Sequence, residues 1–490
     1  GIEILSTDTR DAPERHRSIH SVFDHSWMML DEREQDIFMH LSVFQGGFTR
    51  HAAQNVTGAS LQNLTGFVNK SFLSLNPDSG RLEIHEMLRQ YTQEKLEKDP
   101  DGNISAQENH AAYYAEFMEQ KWAEIKDERQ IQAIAEIEAE IKNVRLACRY
   151  YLNQKKAFQL RKFIQSFREF CWIRGWNQSG MELFAEVVAG LDGLDDEESV
   201  VTHALAMAYQ GYFMSWLGLS DEGFELAKGS VRILNQLDRP EALVFAYESL
   251  ALNAYYLNLF PEEMAGKNKL LTLAKYLDDK WLMGLAFFEL SMVAIRNDDY
   301  LEADRLAQSS LDFFQEIGNS IRSTLSLLPI GHAAMARGEY EVADDCYRRI
   351  LQISRDTGFL WGIGKASKYL GNLALSIGKT RQAEEYLLES LKITNEIGLV
   401  TDKLNLLIEY ACLLSALGDT GQAAGLLRLI IQHPASHQFR LGEGRIIDSA
   451  ERMLAEIEQR FPAGDHTADL ERSHELEIDE VILELVRQNC

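Results

Sequence analysis

The sequence is poor in helix breakers, with only 8 prolines in 490 positions. Proline removes a backbone donor and clashes with the preceding turn, so its scarcity, together with abundant Ala, Leu, Glu, Gln and Lys, favours long helices. Cysteine is scarce as well. Cys148, Cys171, Cys346, Cys412 and Cys490 lie far apart, form no Cys-x-x-Cys pair and are odd in number. That excludes a disulfide scaffold and suits a reducing compartment, so a cytoplasmic protein is expected. Positive charge is in deficit: 49 Lys plus Arg stand against 75 Asp plus Glu, a net charge of -26. Such a chain repels phosphate backbones and anionic lipid, which argues against direct nucleic-acid binding. It has no run of about 18 uncharged apolar residues and no basic-then-apolar leader, so no membrane segment is expected. Catalytic signatures are missing too. There is no His-Glu-x-x-His, no Gly-x-Ser-x-Gly, and no Cys and His set at metal spacing. Ala265-Gly266-Lys267-Asn268 lacks the leading glycine and the hydroxyl of a phosphate cradle. No enzymatic activity, catalytic residue or metal is expected in these residues.

What is present is a repeat. A turn-like hexamer recurs in one register, beginning at Gly218, Asn258, Asp298, Gly338, Gly378 and Gly418, each 40 residues after the last. Gly338-Glu339-Tyr340-Glu341-Val342-Ala343 is its clearest copy. A second mark, Asp238, Asp278, Gly318, Gly358 and Gly398, falls where a left-handed C-cap would end a helix. Between the marks lie windows of roughly 16 to 20 residues with apolar positions at helical spacing. Each unit therefore reads as helix, tight turn, helix, turn. Small residues, Gly211, Ala251, Ser291, Gly331, Gly371 and Ala411, precede each hexamer by seven positions and mark places where the partner helix crosses closely.

The pattern resembles the tetratricopeptide repeat, which places a small residue twelve positions before its turn-following Ala, as Gly331 stands to Ala343. The departure is the period, 40 residues here against a usual length of about 34. HEAT repeats run at about this length, but the Gly-x-Tyr-x-x-Ala turn argues against them. The expected fold is mainly α: an α-solenoid of about eight tetratricopeptide-like hairpins, six of them in register over 199–437. A helical linker over 103–198, with Gly175-Trp176-Asn177-Gln178-Ser179-Gly180 as an off-register copy, precedes them, and capping helices over 438–490 follow.

Residues 19–98 do not follow the repeat. Helices are expected at about 19–29, 31–43, 49–56 and 60–69. Phe72-Leu73-Ser74-Leu75 and Arg81-Leu82-Glu83-Ile84 then flank the turn-rich Asn76-Pro77-Asp78-Ser79-Gly80 as a hairpin, with a helix from Glu86. Helices followed by a β-wing make a winged helix. The runs Phe23-Asp24-His25-Ser26-Trp27, Leu41-Ser42-Val43-Phe44-Gln45-Gly46-Gly47-Phe48 and Ile84-His85-Glu86-Met87-Leu88-Arg89-Gln90-Tyr91 resemble the winged-helix segment of bacterial signal-transducing ATPases of the NB-ARC (STAND) type. Near the other end, Ser473-His474-Glu475-Leu476-Glu477-Ile478-Asp479-Glu480 is similar to the terminus of AfsR-like regulators. The resemblance implies that 1–18 is a linker from an ATPase domain upstream, which would act in cis and bind ADP or ATP with Mg. It also implies that His85 contacts the ADP phosphate and locks the protein off, that activation brings oligomerisation, and that the repeats are the sensor.

Inner-face positions of such repeats fall on Tyr212, Trp216, Phe245, Glu248, Tyr255, Tyr256, Phe288 and Arg296. Aromatic stripes at helical spacing are usually core. The competing reading is a recognition pocket for a protein or small-molecule ligand, with rings supplying area and a few polar groups orientation. Lys365, Lys368 and Asn372 lie on the same face and resemble half of a carboxylate clamp, but Glu409 stands where the next repeat would need Asn. Two other readings are a free-standing adaptor or co-chaperone-like scaffold, and a transcription factor acting through the winged helix. Charge disfavours the latter: residues 1–100 hold 10 Lys plus Arg against 15 Asp plus Glu, and Ser60 to Lys70 carries one cation.

Overall fold

The computed structural model describes residues 23–438, 440–441, 444–460 and 478–489. The expected linker over 1–18 and most of the motif beginning at Ser473 lie outside them. The described residues form two compact units, one within Gly1–Lys121 and Ala135–Phe163, the other within Trp122–Ile134 and Ile164–Cys490. The divisions fall inside the helices Pro100–Ile125, Gln130–Asn153 and Ala157–Ile173 rather than in a linker.

In the first unit, helices Glu32–Leu41, Arg50–Thr57 and Leu61–Asn69 precede an antiparallel pair, Leu73–Leu75 with Leu82–Ile84, and a helix Glu86–Leu96. Local chemistry sets these starts. Asp31 and Glu34 close a reciprocal capping box, Ser60 and Asn63 another, and Thr49 caps the helix between. Phe38 packs its ring against Phe67 and Phe72, both at 5.1 Å, which ties the first helix to the third and to the residue that leads into the first strand. Lys70 is held by Glu34 at 2.8 Å.

In the second unit, six helix pairs repeat at the expected interval. They are Glu197–Trp216 with Ser220–Leu234, Pro240–Tyr256 with Phe260–Tyr276, Lys280–Arg296 with Tyr300–Glu316, Ser320–Leu325 and Leu327–Ala336 with Tyr340–Thr357, Leu360–Ser376 with Thr380–Glu396, and Val400–Leu417 with Thr420–Gln432. Each hexamer opens on a residue with φ between 56° and 92°, the left-handed turn that lets the second helix fold back on the first. At the other turns Asp278, Gly318, Gly358 and Gly398 are left-handed. Asp238 is not, contrary to the sequence reading. Helix Ser220–Leu234 ends in a right-handed cap at Asn235, and the next starts on Pro240. Proline at a first helical position starts the helix by itself and forces the residue before it out of the helical region. The first helix of the fourth pair is broken after Leu325 because Pro329 has no N–H to return to that carbonyl.

The small residues do mark close approach. A Cβ on Gly211 would come within 2.6 Å of the Gly223 carbonyl oxygen, and one on Gly331 within 2.6 Å of the Tyr347 ring. Beyond the pairs, helices Ile446–Arg460 and Ile478–Asn489 present Ile446, Ala450, Ile457, Ile478 and Ile482 to the core built from the last two pairs. They cover an apolar end that a repeat array would otherwise leave wet.

One feature of the second unit is not repetitive. Residues from Ile164 onward, on helix Ala157–Ile173 and its partner Asn177–Leu191, run against the inner side of distant pairs. Arg168 reaches Glu248 in the second pair, and Glu169 reaches Arg322 in the fourth. Arg174 Nη1 donates to the Thr357 carbonyl at 2.8 Å, and Asn177 Nδ2 to the Ile397 carbonyl at 2.9 Å. At the turn between them, Gly175 lies so near Ile397 that a Cβ would come within 2.3 Å of its Cγ2. The superhelix thus closes on its own first hairpin.

Candidate ligand-binding cavity

That closure turns the inner groove into a cavity of about 320 Å³. Eight aromatic rings line it: Trp172 from the first hairpin, Tyr212, Trp216, Tyr255, Tyr256 and Phe288 from the first three pairs, and Trp361 and Tyr369 from the fifth. Trp216 bridges the two ends of the array, its ring lying edge-on at 6.1 Å from both Tyr256 and Trp361. Tyr255 keeps 46% of its surface accessible while lining the cavity.

Of the eight residues singled out in the sequence, the structure brings Tyr212, Trp216, Glu248, Tyr255, Tyr256, Phe288 and Arg296 to this wall. Phe245 does not reach it. Its ring packs against Trp122 at 6.1 Å and Tyr209 at 5.7 Å as core. His85, in the first unit, is exposed and stands at the start of helix Glu86–Leu96.

Charge in the wall comes in matched sets. Arg168 bridges Glu248 at 2.5 Å and Glu169 at 2.8 Å, and Glu169 in turn holds Arg322 at 2.5 Å. The two guanidiniums also stack, Arg168 4.1 Å from the Tyr212 ring and Arg322 4.0 Å from that of Trp172. Glu263 takes Lys267 at 3.0 Å and Arg296 at 2.6 Å, and Lys267 also meets Glu289 at 3.0 Å. Lys365 is paired with Asp402 at 2.7 Å, and Lys368 with Glu409 at 3.0 Å. The lysines that resembled half a clamp are therefore already neutralised. Burial works against the charge on Lys267 and Lys365, but their carboxylate partners outweigh it and hold both amines above the usual lysine value.

Sequence reasoning missed Trp172, Glu263, Lys267, Arg322, Trp361, Asp402 and Asn405. A signal existed for one. Glu263 occupies the sixth hexamer position, where four other copies carry Ala, and it is 1% exposed. A carboxylate in a slot shaped for a methyl group must have buried partners. Trp172 carried no such mark, because its helix lies outside the repeat register.

Polar atoms on this wall that lack a hydrogen-bond partner among the described residues include Trp172 Nε1, Trp216 Nε1, Trp361 Nε1, His332 Nε2, Thr401 Oγ1, Asp402 Oδ2 and Asn405 Oδ1, together with Glu263 Oε1 and Oε2 and Arg296 Nη2, which are held by ion pairs alone. His332 is pushed down to about 3 by burial and by Lys368 and Lys365, so it is neutral at physiological pH. A histidine whose folded value is depressed contributes stability above its unfolded value near 6.5, and loses it as pH falls toward 3. For His332 this is roughly 2 kcal/mol between pH 7 and pH 5. Urea titrations at those two pH values should show His332→Asn flattening the acid loss by about that amount, and an unchanged slope would contradict it.

The fold and cavity define a class: a tetratricopeptide-like α-solenoid with an aromatic-lined inner cavity. No family model matches the chain. Proteins carrying the name HTH-type transcriptional regulator in Mycobacterium bovis and Mycobacterium tuberculosis are 24% identical over 368 residues, covering 71% of this chain and 40% of theirs. The chain thus spans about two-fifths of the length of these relatives. Among solved structures, a signal transduction ATPase with numerous domains and a tetratricopeptide repeat sensor from Pyrococcus horikoshii is 14% identical. That match covers 99% of this chain and 68% of that one, with a TM-score of 0.48. NprR in complex with its cognate peptide NprX is 16% identical over 66% of this chain and 91% of that one, with a TM-score of 0.43. At scores below 0.5 the likeness is distant, and the chemistry of the site rests on its own side chains.

Proposed function

We propose that this chain is the ligand-sensing and autoregulatory part of a larger bacterial signal-transducing ATPase, with the superhelix as sensor and the winged helix as the lock on nucleotide state. The observation that carries the reading is the cavity itself. Its wall combines Trp172 from the first hairpin, Trp216 and Tyr256 from the first two pairs, and Trp361 and Asp402 from the last two. A ligand there touches both ends of the array, so it binds the closed superhelix better than an opened one. Differential affinity of that kind is what shifts a two-state equilibrium and makes binding a signal.

In the whole protein, His85 would contact the ADP phosphate of an upstream domain that binds ADP or ATP with Mg, and release would permit oligomerisation in the cytoplasm. No catalytic step is assigned to the chain's own residues. The longer mycobacterial relatives, which carry the name HTH-type transcriptional regulator, support a regulatory output. DNA contact through the winged helix is the weaker alternative, since Lys70, the one cation of Ser60 to Lys70, is engaged by Glu34. A free-standing adaptor is a further alternative, and a cavity narrowed by the first hairpin suits it less than an open groove would.

The test is native mass spectrometry of the chain after exposure to a cellular small-molecule extract. Wild type should retain a bound mass that Trp216→Ala and Tyr256→Ala each weaken at least tenfold, about 1.4 kcal/mol. Equal retention by all three would reject the cavity as sensor.

A further inference from the structure

We infer that the cavity selects a small, net-uncharged, ring-bearing molecule that offers N–H or O–H donors, and that it rejects charged relatives of the same ring. The inference rests on the sensor reading and names its ligand class.

The first ground is charge balance. The wall carries four carboxylates, Glu248, Glu263, Glu289 and Asp402, and four cations, Lys267, Arg296, Arg322 and Lys365. Each is within 3.0 Å of an opposite charge, with Arg168 and Glu169 completing the chain behind the wall. Among the described residues of the wall, an incoming anion meets no cation that lacks a carboxylate beside it, and an incoming cation no carboxylate that lacks a cation beside it. Either would have to break a buried pair and leave one charge uncompensated, which costs several kcal/mol.

The second ground is the set of rings. Trp216, Tyr256 and Trp361 supply apolar area in a space that suits a small ring. Organic cations would ordinarily seek such rings, but here the aromatic faces already have cationic neighbours. Lys365 stands 5.5 Å from the Trp361 ring, Arg296 5.4 Å from that of Tyr255, and Arg322 4.0 Å from that of Trp172.

The third ground is the pattern of unpaired atoms. Asp402 and Asn405 are more than nine-tenths buried, yet Oδ2 of the one and Oδ1 of the other accept no hydrogen bond among the described residues. Both are acceptors one helical turn apart on helix Val400–Leu417. Leaving a buried acceptor unmatched is costly, so a ligand donor completing the pair gains more than it would in water. Trp216 Nε1 and Trp361 Nε1 are donors left over for its own acceptors.

Two sources share this chemistry, neutral nitrogen heterocycles and neutral sugars, and matched probes separate them. Adenosine is compared with adenosine 5′-monophosphate, and glucose with glucose 6-phosphate, by tryptophan fluorescence titration of the full chain. The uncharged member of at least one pair should bind at least tenfold more tightly than its phosphate. Asp402→Asn frees Lys365 and should invert the preference toward the phosphate. Lys365→Met with Asp402→Asn removes both charges, guards against a variant that fails to fold, and should return the preference to the uncharged probe with lower affinity. Tighter binding of a phosphate by wild type, or no binding of either uncharged probe, overturns the inference. The sensor reading falls only if Trp216→Ala and Tyr256→Ala both leave retention of the natural ligand unchanged.

Discussion

Arg168→Met should destabilise the repeat unit by about 3 to 5 kcal/mol, read as a lowered urea midpoint, because it breaks a buried ion chain in its middle. Four side chains alternate in sign: Glu248, Arg168, Glu169 and Arg322, none more than 6% exposed. With the guanidinium gone, Glu248 has lost its ion-pair partner at 2.5 Å and Glu169 one of two. A buried charge without its partner costs far more than an intact pair contributes. The same reasoning predicts partial recovery. Arg168→Met with Glu248→Gln removes one charge of each sign, leaves the Glu169 to Arg322 pair in place, and should regain at least half of the loss. If the single variant loses less than about 1 kcal/mol, the level of an exposed ion pair, the chain is not an important element of the closed form.

Gly175→Val should be nearly as severe and more informative about function. Gly175 has φ of +67°, which costs a side-chain-bearing residue about 1 to 2 kcal/mol. Its Cβ would also come within 2.3 Å of Ile397 Cγ2 and 3.0 Å of Cβ, and overpacking of this kind costs about 1 to 3 kcal/mol more. The site of the strain matters most. This turn holds Arg174 and Asn177 against the Thr357 and Ile397 carbonyls and brings Trp172 to 4.8 Å from the Phe359 ring. Displacing it should detach the first hairpin from the ends of the fourth and fifth pairs and open the cavity wall. Hydrogen exchange should rise in helix Leu360–Ser376 while the pairs near Lys280–Glu316 keep their protection. Gly175→Ala combined with Ile397→Ala relieves the clash but not the backbone strain, so it should recover the steric part alone. Uniform exchange across all pairs would mean global destabilisation rather than opening.

The extent of what could be read beforehand follows from which interactions are local. Hexamers, turn residues and helix faces repeat because every hairpin solves the same problem with the same nearest neighbours, so six copies reinforce one another in the sequence. Seven of the eight inner-face residues proved to line the cavity for that reason: an inner face is defined by position within a repeat. Phe245 occupies such a position yet packs as core against Trp122, a residue from outside the register that the periodicity could not foresee. Asp238 shows the same limit at a turn, where the following proline removed the need for a left-handed cap.

The sequence alone therefore determined the elements: paired helices of 40-residue period, their left-handed turns, the small residues at their crossings, and a helix and hairpin segment before them. It did so because capping, turn conformation and side-chain spacing are settled within a few residues of chain. Only the tertiary structure decided that the array closes, since curvature accumulates small rotations at each packed interface and no single residue encodes the sum. Closure joined residues 80 to 220 positions apart, Arg168 with Glu248 and Asn177 with Ile397. It thereby converted an inner face into a partly closed, charge-balanced cavity.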